Sequence, residues 1–376
     1  MATLQQITGR EVVTKVVSRV KRPENRLGQW FGFTLTGAGN SIPNRYFGYD
    51  VFNHTRTIAK GRAPMTPAAR VSPQVVGHVS GVFPRSYEVL PLYYERIFNG
   101  RPLGGPYSEV DPMGERYVTA QTEHLAQRFN NWVEILTAGM VRDSLYFKHS
   151  GDDVIPRLTD TGNNDTTRID FKVPTQNFNQ IARGTNGANL ITTSWDQIGA
   201  GIIIHLLNIS AAMEQAHGRP LRDIWVTSTT WGNVLRNTQV QTLAGTSVSP
   251  FDTFTRVDAR GPDGIQVSEQ YARLRGLPWL DWHIIDSGLD VDGVFTKVIG
   301  DNNALMLPAV DSDWVEMGYG SEPVAERDGE VPQPRTGFHA WRNYKANPAQ
   351  VELYAIFNGL PFLYIPACLM YATVTF

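Results

Sequence analysis

The 376-residue chain is predicted to adopt an α+β fold organised around one long helix. Two patterns carry that expectation. Val118, Leu125, Phe129, Trp132, Leu136 and Met140 recur at intervals of seven, four, three, four and four, the stripe of an amphipathic helix, with Glu123, Gln127, Arg128, Asn131 and Glu134 elsewhere on its circumference. Val351, Leu353, Ala355 and Phe357 repeat instead at the period of two that marks one face of a strand. A chain of this length holds two or three domains and buries about 75% of the surface its unfolded form exposes.

Residues 1–113 read as one long, extended region, because prolines from Pro23 to Pro112 recur too often for unbroken elements while Val71, Val75, Val76, Val79, Val82 and Phe83 supply strand-forming material. The aromatics of this amino-terminal region, among them Trp30, Phe31, Phe33, Tyr46, Phe47, Tyr49, Phe52, Phe83, Tyr87 and Tyr93, are too many for a free linker. They are expected to bury against a partner subunit, with a self-contained amino-terminal β domain as the alternative. In residues 101–221 the long helix covers about 115–142, about 42 Å of helix, with Gly139 as a bend. A hairpin or loose sheet follows over Tyr146–Pro174. A second helix is expected over Trp195–His217, opened by a Ser194/Gln197 capping box and closed by Gly218 and Pro220, with Trp195, Ile198, Ile202, Leu206, Ile209 and Met213 on one face.

Residues 222–335 open on a strand at Asp223–Thr229 that enters a short helix through Trp231, Val234 and Leu235, then alternate brief apolar runs with Gly-rich and Asp-rich turns. Residues 336–376 are read as strands returning to the long helix, with a turn at Asn358-Gly359. The last strand carries Leu369 and Tyr371 on one side and Met370, Ala372, Val374 and Phe376 on the other, so both its faces need cover from a neighbouring element or a neighbouring subunit.

Composition narrows the function. A formal net charge of -2 argues against a dedicated nucleic-acid binder. The charge is nevertheless segregated: Arg10, Lys15, Arg19, Lys21, Arg22 and Arg26 face only Glu11 and Glu24 in residues 1–30, whereas residues 286–330 hold eleven acidic residues against Lys297 and Arg327. Such segregation either steers like chains into register or marks two unrelated solvated faces. The lone cysteine, Cys368, sits in an apolar run and is expected to be buried, as suits a reducing cytoplasm. No signal-type stretch opens the chain, and the longest apolar run, Leu360–Met370, is too short for a span and holds two prolines, so a soluble protein is expected.

Chemical motifs are scarce. Gly37-Ala38-Gly39-Asn40-Ser41 lacks the spacing and lysine of a phosphate loop, and the eight histidines show no paired ligand spacing, His205 reading as a structural residue within a helix. Asp281, His283 and Ser287 have no nucleophile elbow to assemble them. The carboxylates from Asp286 to Asp313 lack the calcium-loop pattern. No catalytic, cofactor-binding or metal-binding residue is nominated and no cofactor is expected. Aromatic residues reach 11% and several neighbour arginines, a combination suited to large contacts. Arg10, Arg19, Arg22, Trp30, Tyr87, Tyr93, Phe129, Trp132, Trp231, Phe357 and Tyr364 are therefore the candidate assembly and structural residues.

The runs VVGHVSGVFPRSYEVLPLYY at 75–94, RPLGG at 101–105, GERYVTAQTEHLAQRFNNWVEILTAGMV at 114–141, DIWVTSTTWGNVL at 223–235 and IGDNNALMLP at 299–308 precede the terminal strands. Their order resembles the lambda-type E family of tailed-bacteriophage major capsid proteins, which has the HK97-like fold. The resemblance implies an N-terminal arm at 1–40, an extended loop at 41–100, a peripheral domain with a spine helix at 101–221, an axial domain at 222–335 and C-terminal strands returning to the peripheral domain at 336–376. It implies a non-enzymatic major head protein that self-assembles in the bacterial host cytoplasm into pentamers and hexamers of an icosahedral virion shell around double-stranded DNA. Portal, scaffolding and decoration or cement proteins are the implied partners, with non-specific contact to packaged DNA and no membrane. Absence of a long scaffold-like domain implies a separate scaffolding protein if one is used. Some capsids of this fold link a lysine to an asparagine, but residue type alone nominates neither Lys60 nor Asn358. The rival readings are a tail-tube or other virion structural protein, against which the long helix weighs, and a hydrolase, against which the dispersed candidates weigh.

Overall fold

The computed structural model describes residues 26–35, 40–52, 76–93, 95, 97, 112–160, 166–174, 190–244, 270–274, 277–325, 331–346 and 349–376. A short helix α1 (Arg26–Trp30) leads to β1 (Asn40–Ile42), β2 (Tyr46–Phe52), β3 (Val76–Val82) and β4 (Arg85–Tyr93). The long helix α2 runs over Pro112–Val141 and carries the expected stripe. It stops where Asp143 takes φ +46°, with the Ser144 N–H returned to the Gly139 carbonyl at 3.0 Å. Gly139 makes no break in the helix; it lets Leu145 pack closely, since a Cβ there would lie 2.6 Å from Leu145 Cδ1.

The predicted loose sheet after α2 is three strands, β5 (Leu145–Ser150), β6 (Asp153–Arg157) and β7 (Thr166–Ile169), in the order β6-β5-β7. Helix α3 covers only Ile202–His217, so the expected start at Trp195 is corrected: Gly201 is its N-cap, and Gly218 ends it at φ +79°. Ser194 forms no capping box because its hydroxyl accepts the Phe376 N–H at 3.0 Å, while the Trp195 N–H goes to the Val374 carbonyl at 2.8 Å. Ile198 stands in solvent instead of on the buried face.

The chain continues through β8 (Asp223–Val226), α4 (Ser228–Arg236), α5 (Thr238–Ala244), β9 (Gln270–Leu274), β10 (Leu277–Ile284), β11 (Gly288–Val291), β12 (Val294–Lys297) and β13 (Asn303–Leu307). It closes with β14 (Val315–Val324), β15 (Gln333–Ala346), β16 (Ala349–Leu363) and β17 (Met370–Thr373). One sheet has the order β1-β14-β15-β16-β4 and a second the order β17-β13-β8-β10-β9, with separate ribbons β2-β3 and β11-β12.

Asn358-Gly359 is not a turn. The dipeptide lies inside β16 where the strand changes partner: Asn358 pairs with Gly337 of β15, and Gly359 with Tyr319 of β14. Tight packing explains the glycines here. A Cβ on Gly318 would lie 2.2 Å from the ring of Phe362, which is fully buried among Phe47, Tyr49 and Phe83. Gly318→Ala is expected to destabilise the unassembled chain by about 1–3 kcal/mol through overpacking, measured by urea unfolding; a loss below about 0.5 kcal/mol, the size of an ordinary surface change, would contradict that packing.

The second sheet is buried on both faces by the chain's own elements. Ile224, Val226, Met306, Met370 and Ala372 pack with α3 and α4, whereas Trp225, Leu305, Leu307 and Tyr371 turn into the core shared with α2 and the first sheet. That is the cover the apolar last strand demanded, supplied within one chain. It also corrects the expected return of both final strands to the long helix: β16 packs on α2, but β17 pairs with β13. Packing likewise groups α3 with the second sheet, and β14 with the first. Cys368 is buried beneath it, its thiol pushed up to about 12 by burial.

Candidate assembly surfaces

The amino-terminal aromatics divide by face. In the β2-β3 ribbon, Phe47, Tyr49, Val51 and Val79 turn into the first core with Phe83, and Phe31 and Phe33 join them from beyond α1. These residues find their cover inside the chain, which corrects the expectation that a partner subunit buries them all. The cross-strand pair Tyr46 and Val82, together with Phe52, faces outward, Tyr46 being 62% exposed.

A larger outward surface lies on the first sheet. Alternation sends Val351, Leu353, Ala355 and Phe357 of β16 inward, with Leu353, Ala355 and Phe357 in the core that also holds Phe129 and Leu136 of α2. Outward, β4 presents the exposed Tyr87, Val89 and Tyr93, and β16 and β15 add the half-buried Tyr354 and Trp341, with the buried His339 next to Trp341 in matching register. Their rings stack: Trp341 lies 5.3 Å from Tyr354 and 6.0 Å from Tyr87, and His339 lies 5.6 Å from Trp341. Tyr87, Val89 and Tyr93 stay more than 40% exposed. Arg85 sits over the Tyr87 ring at 4.8 Å and pairs with Glu322 at 3.2 Å. At the ladder's end Glu352 accepts from Lys345 at 2.5 Å and Tyr354 at 2.6 Å, and these donors hold its carboxyl below the usual range. On the opposite face Arg128 of α2 grips Glu88 through two bonds of 2.6 and 2.7 Å, fixing β4 to the helix.

Two further apolar patches lie elsewhere. Ile204 and Leu207 project from α3 beside Ile198, and Val294 and Phe295 project from the β11-β12 ribbon, whose Asp292-Gly293 turn has both φ angles positive.

Of the nominated residues, Phe129 and Phe357 are core side chains, Trp132 is half-buried at the core edge, and Trp231 packs on Trp282 at 5.2 Å in the second core. Tyr364 meets Tyr49 edge-on at 5.8 Å, and Trp30 meets Trp225 edge-on at 5.7 Å. Only Tyr87 and Tyr93 lie on one exposed surface together. Arg10, Arg19 and Arg22 lie outside the described residues, as do Lys60 and the RPLGG run. Missed by sequence reasoning were Trp341 and His339 as ladder members, although their period-two spacing with Tyr87 and Tyr354 across paired strands is the signal that finds them.

The chemical candidates resolve into packing. His283 pairs with Asp223 at 2.8 Å and stacks on Trp225 at 4.3 Å. His205 is buried and accepts the Trp195 indole N–H at 3.4 Å, and burial lowers its pKa. In the acidic segment Asp311 and Asp313 pair with Arg219, Asp292 with Arg157, and Asp301 with Lys297. Among the described residues no group of three or more His, Cys, Asp or Glu is placed to hold a metal ion, and no helix is long and apolar enough to cross a membrane.

No family model matches the sequence. No curated protein matches it either. Solved structures do. The chain is similar to a phage-related protein from Bordetella bronchiseptica RB50, with a TM-score of 0.52 and 8% identity over 96% of this chain and 95% of that one. It is also similar to a candidate capsid protein of a prophage of Escherichia coli CFT073, with a TM-score of 0.54 and 14% identity over 97% and 99% of the two chains. At such identities the likeness speaks for architecture, and the architecture of this chain is the HK97-like α+β capsid fold.

Proposed function

We propose that this protein is a non-enzymatic major capsid subunit whose activity is self-assembly into a closed shell. The single observation that carries the reading is the set of separate outward apolar patches, on the β2-β3 ribbon, the aromatic ladder, α3 and the β11-β12 ribbon. A monomer seldom spreads exposed apolar surface over so many elements, whereas a subunit that meets several neighbours at once needs several contact faces. Weak contacts repeated around each subunit add up to a stable shell.

In this reading the shell is icosahedral, built of pentamers and hexamers around double-stranded DNA in a virion assembled in the bacterial cytoplasm. The arm at 1–40 and the loop at 41–100 clasp neighbours, α2 with β4 and β14–β16 forms the peripheral body, and the second sheet with α3 faces the capsomer axis. Portal, scaffolding and decoration or cement proteins complete the particle, and contact with packaged DNA is non-specific.

Electron microscopy of the concentrated protein tests the reading. Closed shells with five- and sixfold clusters are the expected result. Monomers persisting at every concentration, in the presence and absence of co-expressed phage proteins, would sink it.

A further inference from the structure

Two of the outward apolar patches carry opposite charge. The aromatic ladder is cationic at one end, where Arg85 and Arg45 share the single carboxylate of Glu322 at 3.2 and 3.7 Å. One positive charge is left over, and the two arginine side chains stay 37% and 55% exposed. Arg85 also lies over the Tyr87 ring at 4.8 Å, which sets that charge directly beside the aromatic face. At the other end Lys345 is matched by Glu352. The tip of the β11-β12 ribbon is the counterpart. Val294 and Phe295 are 64% and 63% exposed there, and Asp290, opposite Phe295 in the strand register, has no ion-pair partner among the described residues. Its neighbour Asp292 is bound to Arg157 of β6 at 2.6 Å, so the turn is tied down while Asp290 is left for a cation from outside.

We propose that the β11-β12 ribbon of one copy docks on the aromatic ladder of a second copy, with Phe295 seated on Tyr87 and Val89 and Asp290 paired to the Arg45–Arg85 end. The inference rests on the shell reading and names two of its contact faces. Spacing agrees with the pairing. Cross-strand neighbours such as Asp290 and Phe295 stand about 4.5–5.5 Å apart at Cβ, and same-face neighbours on one strand such as Arg85 and Tyr87 about 6.4–6.8 Å, so one acid–ring pair spans one cation–ring pair. The remaining patches fit less well. On α3 the exposed Glu214 lies seven residues beyond Leu207, about 10 Å along the helix, too far to share one seat with it. Tyr46 and Val82 of the β2-β3 ribbon adjoin Arg45 itself and so repeat the sign of the ladder. Because knob and floor are different surfaces, the contact runs head to tail and closes into a ring of copies. An exposed acid–arginine pair adds register and rate more than affinity, so the apolar seat of Phe295 carries most of the binding.

Assembly of the full-length chain, followed by light scattering and electron microscopy, tests the contact. Phe295→Ala should slow assembly about tenfold or more with an unchanged urea midpoint, since the ring stands in solvent in the isolated chain. Arg45→Glu and Asp290→Arg should each slow it about threefold or more, and the two together in one chain, which reverse the sign on both sides of every contact, should assemble faster than either alone. Losses that multiply in the double variant would overturn the charge pairing. A short bismaleimide should join Phe295→Cys to Val89→Cys between copies, because Cys368 is buried and does not compete. Joining to Leu207→Cys in place of Val89→Cys would move the ribbon to α3 and overturn the ladder seat. Wild-type monomers at every concentration would overturn the shell reading and this contact together, whereas Phe295→Ala shells formed at wild-type rate and yield would overturn the contact alone.

Discussion

Phe129→Asp should leave no folded chain to assemble. Phe129 is 1% exposed in the middle of the α2 stripe, and its ring meets Phe338 of β15 edge-on at 5.3 Å, so it sits where the spine helix joins the first sheet. Truncating such an aromatic costs about 3–5 kcal/mol, and a carboxylate placed there without a partner adds a burial penalty on top. Against a total stability of about 5–15 kcal/mol that loss is decisive. Trp132→Asp should be milder, because Trp132 is only half-buried at the edge of the same core and its indole N–H has no hydrogen-bond partner to lose among the described residues. Circular dichroism and soluble yield separate the two: the expected order is an unfolded or insoluble Phe129 variant beside a folded, less stable Trp132 variant. Equal behaviour would mean that the stripe does not seat α2 on the sheet.

Local periodicity made much of this fold legible. The α2 stripe, the strand that enters α4, and the demand of the last strand for cover on two faces follow from side-chain spacing, and each reappears in the packing. What escaped was set by contacts far along the chain. Glu134 falls on the polar side of a helical wheel, yet it is buried and accepts an N–H of α1, 107 residues away in sequence. The false start of α3 has the same origin, since Ser194 and Trp195 bond to the backbone of Phe376 and Val374. Asn358-Gly359 reads as a turn by residue type, yet β14 takes over the pairing from β15 at that point and the strand runs on. The ladder was half legible: Tyr87 and Tyr93 drew notice as aromatics, but their joining to Trp341 and His339 depends on strand order, which spacing within one segment cannot encode.

Tyr87→Glu combined with Val89→Glu should abolish shell assembly while leaving the subunit folded. Both side chains are more than 40% exposed on the outward face of β4, opposite the Ser86, Glu88 and Leu90 side that meets α2, so added carboxylates remain hydrated in the isolated chain. The folding cost comes from the stacking of Tyr87 on Trp341 and Tyr354, about 0.5–1.5 kcal/mol, and from the Arg85 contact over its ring, about 0.5–1 kcal/mol at an exposed site. In an interface the balance reverses: two carboxylates would be stripped of water beside Glu352, with Lys345 already committed to that residue. The penalty repeats in every subunit, so a loss of a few kcal/mol per contact multiplies across the shell. Light scattering should show assembly reduced by at least tenfold in the double variant, and Tyr87→Phe, which keeps the stack, should assemble as the wild type does. Unfolding measured on the unassembled chains distinguishes an interface defect from a folding defect. Particles at wild-type yield from the double variant would remove the ladder from the contact surfaces, and the search would move to Ile204 and Leu207 of α3 and to the tip of the β11-β12 ribbon, where the same substitution logic applies.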